Sequence, residues 1–308
     1  MLNTPLRLED VQWSSTNGTY GQLAISGCTL KRFNAAEARQ CLAGKRLVIV
    51  GDSVTRFQYV VLAYFLHTGS WPKPIGNQPE HPSLANSKAW GSVGAYTKGT
   101  TALLGGKELC DCSGQTDNRH FMGDGFSVHY FQYSDSQNGP TPWANGNIKG
   151  RYGFPPYLDG PMPNTTQNPA DTIWQVPVIK ALTGPLAKLK PTHLILNSGL
   201  HGSTNFWTPE HAQNITLAGQ SAVAGQQGRV FWKTTTAARP SALVKTHRDH
   251  DATALEAARL FGWGVYDAYA ITRPLVNLPR PPMWDTVHFE AGVYRELNLF
   301  LLNMICSE

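Results

Sequence analysis

After Gly44-Lys45 the chain reads Arg46-Leu47-Val48-Ile49-Val50, a mostly β-branched run bounded by glycines that suits a strand buried on both faces of a parallel sheet. Apolar residues then recur at Phe57, Val60, Val61, Tyr64 and Phe65, a helical spacing that places Ser53 where a strand turns into a helix. Upstream, Asn34 with Glu37 three residues on has the capping-box spacing and predicts a short helix through Cys41, whereas residues 1 to 33 read as irregular. From Gly69 to Ala170 the chain is rich in Gly, Pro, Asn and Ser, and Phe126 to Tyr133 is its one convincing strand. A loop region of that length is expected to fold over the sheet and shape a substrate cleft.

Helical character resumes from Asp171 to Lys190, with kinks expected at Pro177 and Pro185. Strands follow at His193 to Leu196, Arg229 to Lys233 and Gly264 to Ala270. Helices are expected from Thr208-Pro209-Glu210, from Asp251 to Phe261 and from Phe289 to Asn303. The alternation predicts one α/β domain over residues 1 to 308, a three-layer α/β/α sandwich with a mainly parallel sheet and a long loop insertion between the first and second core strands.

Composition narrows the function classes. No apolar run approaches the roughly 20 residues of a membrane helix, so no membrane span is expected. The balance of 26 basic against 21 acidic residues contains no block of like sign and gives no nucleic-acid footprint. Its most basic stretch, Lys245 to Arg248, is flanked by Asp249 and Asp251 and reads as a solvated turn. Nine Trp and eleven Tyr beside 29 Gly and 21 Pro resemble secreted, sugar-handling proteins, and Trp71, Trp90, Trp143 and Trp207 are candidates either to stack on sugar rings or to anchor loops. Sequons stand at Asn17, Asn164 and Asn214. Met1 is not followed by the basic and apolar regions of a signal peptide. Five cysteines, Cys28, Cys41, Cys110, Cys112 and Cys306, leave one over if the others pair, and spacing fixes no connectivity.

In an open parallel sheet, sites form beyond the carboxyl ends of the strands. Three polar clusters fall there: Asp52-Ser53, Asn197-Ser198-Gly199 and Asp285-Thr286-Val287-His288. A serine hydroxyl needs a base to take its proton, and that base needs an acid to hold its tautomer. Asp285 and His288 can supply both from one turn. Ser53 at a helix N-terminus also offers its own N–H to an oxyanion, with the Asn197 amide as second donor. Arg56, one helical turn on, is a candidate to orient an acyl group, with an ion pair to a nearby Asp as its alternative. Taken singly, Gly-Asp-Ser and Asp-x-x-His are also ordinary helix caps. Cys110-x-Cys112 lacks the spacing of a closed metal site, and His201, His247 and His250, with Asp249 and Asp251 beside them, read as a solvated loop and helix start, so no metal or other cofactor is expected.

The stretch from Cys28-Thr29-Leu30 through Cys41-Leu42-Ala43-Gly44-Lys45-Arg46 to Gly51-Asp52-Ser53-Val54-Thr55-Arg56, with Trp284-Asp285-x-x-His288-Phe289, resembles the PC-esterase branch of the SGNH/GDSL hydrolase superfamily. That branch includes the plant trichome-birefringence-like wall O-acetyltransferases and the catalytic domains of sialate and capsule O-acetyltransferases. The likeness covers roughly residues 28 to 66 and 283 to 290. It implies an SGNH-like fold, an acyl-Ser53 intermediate, His288 as base then acid, and Asp285 as its orienting group. Trp284, beside the closing motif, joins Arg56 as a substrate-binding candidate. Leu196-Asn197-Ser198-Gly199 departs from the superfamily's Gly-x-Asn-Asp block, and Gly91 and Gly94 are both open as the second oxyanion glycine.

Acyl transfer, acetyl above all, to a glycan or polysaccharide hydroxyl from an acyl donor is therefore the expected function. A carbohydrate O-acetylesterase with the same triad and a non-catalytic glycan-binding relative are the alternatives, and a metal-dependent deacetylase is the weakest reading. The expected place is the secretory pathway, in the Golgi lumen, or outside the cell. Oligomeric state is not legible.

Overall fold

A computed structural model of the chain describes residues 4–16, 19–74, 80–113, 116–134, 147–151, 173–198, 200, 207–239 and 251–306. An antiparallel hairpin opens it, β1 (Val11–Thr16) and β2 (Thr19–Ile25), where the sequence had suggested irregular chain. The alternation is short but real: Val11, Leu23 and Ile25 are buried while Gln12 and Ala24 face solvent. The Trp13 indole ties the hairpin to the far end of the chain by donating to the Ile271 carbonyl at 2.8 Å. Helix α1 (Ala35–Leu42) follows with the reciprocal cap expected of it, Asn34 and Glu37 each accepting the other's backbone N–H at 2.9 Å.

Strand β3 (Arg46–Gly51) is buried along almost its whole length and leads directly into α2 (Ser53–Thr68). The Asp52 carboxylate caps α2 by accepting from Val54 N at 3.1 Å, and Gly69 ends it in the left-handed conformation, φ 84°. The stretch beyond was expected to be loop-rich. Its described residues instead form α3 (Val93–Ala102), β4 (Glu108–Ser113), β5 (Thr116–Gly123), β6 (Phe126–Ser134) and β7 (Asn147–Arg151). β6 matches the one strand legible there. β4 and β5 escaped because many of their buried positions are polar: Glu108, Asp111, Asp117, Asn118, Arg119 and His120 are all buried, bonded to one another and to Tyr59, Thr100, Thr101, His129 and Arg151.

A second correction concerns the stretch read as a kinked helix up to Lys190. It holds strand β8 (Ile173–Pro177), then the short helices α4 (Val178–Thr183) and α5 (Pro185–Lys188). The two prolines separate these elements, Pro177 ending the strand and Pro185 opening α5. The rest alternates as expected: β9 (His193–Leu196), α6 (Pro209–Ala224), β10 (Arg229–Lys233), α7 (Ala252–Phe261) and β11 (Gly264–Tyr266). The last strand is shorter than predicted because Asp267 caps a helical turn, α8 (Ala268–Thr272), by accepting from Ala270 N at 3.1 Å. Helix α9 (Ala291–Cys306) closes the chain.

The main sheet runs β11-β10-β9-β3-β6-β5-β4. Its first five strands are parallel to one another, and β5 and β4 extend it antiparallel. Two apolar clusters cover its faces: α1, α2, α8 and α9 contribute to one, and α4, α5, α6 and α7 to the other. This is the three-layer α/β/α arrangement with a mainly parallel sheet. With β3 at its centre, the α2 N-terminus stands over the middle of the carboxyl edge.

Among the described cysteines, Cys41 is joined to Cys306 and Cys110 to Cys112, while Cys28 is a free, half-buried thiol. The first bridge spans 265 residues and locks α1 to the end of α9. The double variant Cys41→Ala/Cys306→Ala should lose about 2–5 kcal/mol of unfolding free energy. Urea denaturation checks this, and an unchanged midpoint would show that packing of α9 suffices without the bridge.

Candidate active site

At the carboxyl edge of the sheet, Ser53 is the first residue of α2, so its N–H has no intrahelical acceptor and lies at the positive end of the helix dipole. The loop ahead of α9 brings a turn opposite it. Trp284 N donates to the His288 carbonyl at 3.2 Å, closing the turn, and Met283 and Phe289 form an isolated bridge just outside it. Inside the turn, Asp285 Oδ1 accepts from Val287 N at 2.8 Å and from His288 N at 2.7 Å. Its other oxygen lies 2.7 Å from His288 Nδ1. The remaining ring nitrogen, His288 Nε2, lies 2.7 Å from Ser53 Oγ.

Partial burial pushes the Asp285 carboxyl up. The hydrogen bonds from the His288 side chain and from the N–H groups of Val287 and His288 outweigh it and bring the carboxyl down to about 2. An ionised Asp285 holds the imidazole with Nδ1–H toward it and leaves the Nε2 lone pair facing Ser53. Packing fixes the ring as well. The Trp284 indole stacks on it at 4.9 Å between centroids and 7° between planes, and Phe57 meets it edge-on at 5.2 Å.

Trp284 was a candidate substrate platform. Its indole is engaged by the protein: one contact is the stacked His288 ring, Lys88 Nζ lies 5.6 Å over it, and its Nε1 donates to the Ala85 carbonyl. These contacts hold the indole against the His288 ring. Arg56 was the other candidate, and it makes the ion pair that was its alternative. Its guanidinium donates to Asp117 Oδ2 at 3.1 Å and lies over the Phe57 ring at 4.9 Å, behind the residue that packs on His288. Asp117 also accepts from Arg119 Nε at 2.7 Å, and Arg119 Nη1 reaches Glu108 at 3.5 Å. Burial would raise the Asp117 carboxyl, but Arg119 and Arg56 hold it below the usual range.

Asn197 does not face the serine with a free amide. Its Nδ2 donates to the Lys233 carbonyl at 3.0 Å and to Thr235 Oγ1 at 3.1 Å, its Oδ1 accepts from Thr55 Oγ1 at 3.0 Å, and the residue is fully buried. Both amide hydrogens are thus engaged within the protein, where the oxyanion role expected of Asn197 needs one of them free. Gly91 ends a short 3-10 turn, Gly94 lies in the first turn of α3, and both are exposed.

Of the tryptophans, Trp71 stacks on Phe65 at 3.7 Å, Trp90 donates to the Ser83 carbonyl at 3.1 Å, and Trp207 packs on Trp232. All three act as anchors. Asn214 is exposed on α6. Asn17, Trp143, Asn164, Gly199, His201 and residues 245–250 lie outside the described residues. Cys110, Cys112 and Asp117 cluster closely enough to suit a metal, yet the sulfurs are bonded to each other and Asp117 holds two arginines. A cavity of about 680 Å³ opens at the opposite, amino end of β3, lined by Arg46, Leu109, His120, Met122 and Lys188. No described helix is long and apolar enough to cross a membrane.

Sequence reasoning missed two features of this edge: the stacking of Trp284 on His288, and Lys233, which is 1% exposed beneath α2. A signal for the second existed, since Lys233 ends the otherwise apolar run Val230-Phe231-Trp232.

Comparison with known proteins gives a likeness in sequence and a likeness in structure. The chain is 51% identical over 41 residues to a protein of Oryza sativa subsp. japonica named as a probable xylan O-acetyltransferase. That stretch is 13% of this chain and 9% of the rice protein. A solved structure of a peptidoglycan O-acetylesterase superposes with a TM-score of 0.43 and 11% identity, covering 89% of this chain and 96% of that one. No family model matches.

The Asp285 carboxyl sits below its ordinary 3.8, so the stability it contributes is complete above that value and is lost as pH falls through about 2. Thermal midpoints of the wild type and Asp285→Asn should therefore differ most near neutral pH and converge in strong acid. A gap that stays constant down to about pH 2 would mean that the carboxylate charge does not hold the turn.

Proposed function

We propose that this chain catalyses serine-dependent O-acyl transfer, of acetyl in the first instance, on a polysaccharide or glycan through an acyl-Ser53 intermediate. The observation that carries the reading is the unbroken hydrogen-bonded chain from Ser53 Oγ through His288 to Asp285, with 2.7 Å at each step. It stands at the carboxyl edge of a parallel sheet, where such sites form.

In the proposed reaction Ser53 Oγ attacks the carbonyl carbon of the donor ester while its proton passes to His288 Nε2. The carbonyl electron pair moves onto oxygen, and the Ser53 N–H at the positive end of α2 is placed to receive that charge. Collapse re-forms the carbonyl, breaks the bond to the donor oxygen, and returns the proton from Nε2 to the departing alkoxide. An acceptor hydroxyl then gives its proton to Nε2 and attacks the acetyl-serine by the same steps in reverse, restoring Ser53. Asp285 stabilises the imidazolium each time it forms. Trp284, Phe57 and, behind Phe57, Arg56 keep the ring in place. Ala85 and Lys88, from residues 69–170, flank Trp284 beside the triad, and this region is the proposed wall of the substrate cleft.

The local likeness to a plant xylan O-acetyltransferase favours a sugar hydroxyl as acceptor. Water in its place makes the chain a carbohydrate O-acetylesterase with the same triad. A glycan-binding relative without turnover is the second alternative, and the intact Ser53, His288 and Asp285 geometry speaks against it. The same likeness, with two disulfides that suit an oxidising compartment, supports a place in the secretory pathway.

The test follows intact mass and acetate release after mixing with p-nitrophenyl acetate, with and without xylan oligosaccharides. Wild type should gain one acetyl group and Ser53→Ala none. His288→Ala should lower kcat by at least about 10³-fold. An adduct discharged faster by an oligosaccharide that becomes acetylated identifies a transferase, and equal discharge by water an esterase. Turnover that survives Ser53→Ala would overturn the serine mechanism altogether.

A further inference from the structure

Lysine is rarely found fully buried, because an ammonium taken out of water costs more than an apolar residue in the same space. Lys233, the last residue of β10, is 1% exposed. Its ammonium donates to Thr55 Oγ1 at 3.2 Å, its one hydrogen bond among the described residues. Two buried acids face it, Asp52 from the turn that carries Ser53 and Asp251 from the start of α7, and burial pushes the Asp251 carboxyl up to about 7, so that it supplies only part of a counter-charge at neutral pH. Neither is bonded to it. Asp52 caps α2 through Oδ1 and leaves Oδ2 buried without a partner, and Asp251 accepts from Trp232 Nε1 and Thr235 N. Burial draws the ammonium down to about 8, and Asp52 and Asp251 only partly offset that pull.

The contacts around it close a ring. Lys233 Nζ donates to Thr55 Oγ1, Thr55 Oγ1 donates to Asn197 Oδ1, and Asn197 Nδ2 donates back to the Lys233 carbonyl at 3.0 Å. The ring joins the carboxyl ends of β10 and β9 to the first turn of α2, two residues beyond Ser53. A residue serving only to fill this space would be better apolar, and one serving only as an ion pair would touch its carboxylates.

Resting on the serine mechanism above, we propose that Lys233 is a positioning residue for acyl transfer: its buried ammonium pins the first turn of α2 through Thr55 and adds positive potential beneath the Ser53 N–H, where the oxyanion forms. Its effect falls on the transition state, since the cation lies under the turn and out of reach of a bound sugar.

The experiment compares wild type, Lys233→Met, Thr55→Val and Ser53→Ala for thermal midpoint, for kcat and KM with p-nitrophenyl acetate, and for the rate of labelling by a fluorophosphonate. Lys233→Met keeps the length of the side chain without its charge. It should lower kcat and the labelling rate together by roughly 10- to 100-fold while KM stays within about twofold. A folded Lys233→Met with wild-type kcat and labelling rate, beside an inactive Ser53→Ala, overturns the inference and leaves the serine mechanism standing. An active Ser53→Ala overturns the serine mechanism itself. Should Lys233→Met not fold, Thr55→Val decides: it keeps the ammonium and the shape but removes the hydroxyl that ties them to α2. A lowered kcat at unchanged KM supports the inference, and wild-type kcat sinks it.

Discussion

Burial of β3 on both faces is the constraint from which the site follows. A central parallel strand has apolar layers above and below it and hydrogen-bonded neighbours on each side, so its chain can leave only at the edge. Here it leaves at Gly51-Asp52 and turns at once into α2, with the Asp52 carboxylate replacing the strand's hydrogen bonds by a helix cap. The first helical residue is thereby held at a fixed height over the sheet, with an N–H that the helix cannot use. Ser53 occupies that position. The proposed nucleophile is thus fixed by backbone geometry before any other site residue is considered.

The opposite partner is fixed differently. His288 lies in a loop, and loops gain precision only from local bonds and packing. One carboxylate, Asp285, supplies three hydrogen bonds within a four-residue turn, and the two rings of Trp284 and Phe57 restrict the imidazole in two directions. Phe57 belongs to α2, one turn beyond Ser53, so the helix that presents the serine also steadies the histidine. Behind it, Arg56 and Asp117 connect the same helix to the polar interior of β4 and β5. That interior of matched charges explains how a strand pair with so few apolar residues can be part of the core: each buried ion there is paired, and none is left to face the sheet alone.

Much of this was readable in the residues. The β-branched run at 46–50, the helical spacing after Ser53, the Asn34 capping box and the Asp-x-x-His turn are local patterns, set by side-chain period and by bonds between residues three or four apart. They placed β3, α1, α2, β9, β10 and α7, together with the three residues proposed for chemistry, at the carboxyl edge of the sheet. Composition likewise argued against a membrane-spanning helix.

What the sequence by itself could not determine depends on partners distant in the chain. The buried polar strands β4 and β5 carry no apolar period, because their stability comes from ion pairs and hydrogen bonds that form only once the strands are aligned. The Asn197 amide is engaged by Lys233 and Thr235, 36 and 38 residues away, and the Trp284 indole by the stacked His288 ring and a carbonyl 199 residues back. Local periodicity records which face of an element is buried. Only the tertiary structure decides which polar groups meet there, since a hydrogen bond depends on the direction and distance of two atoms that the sequence leaves far apart.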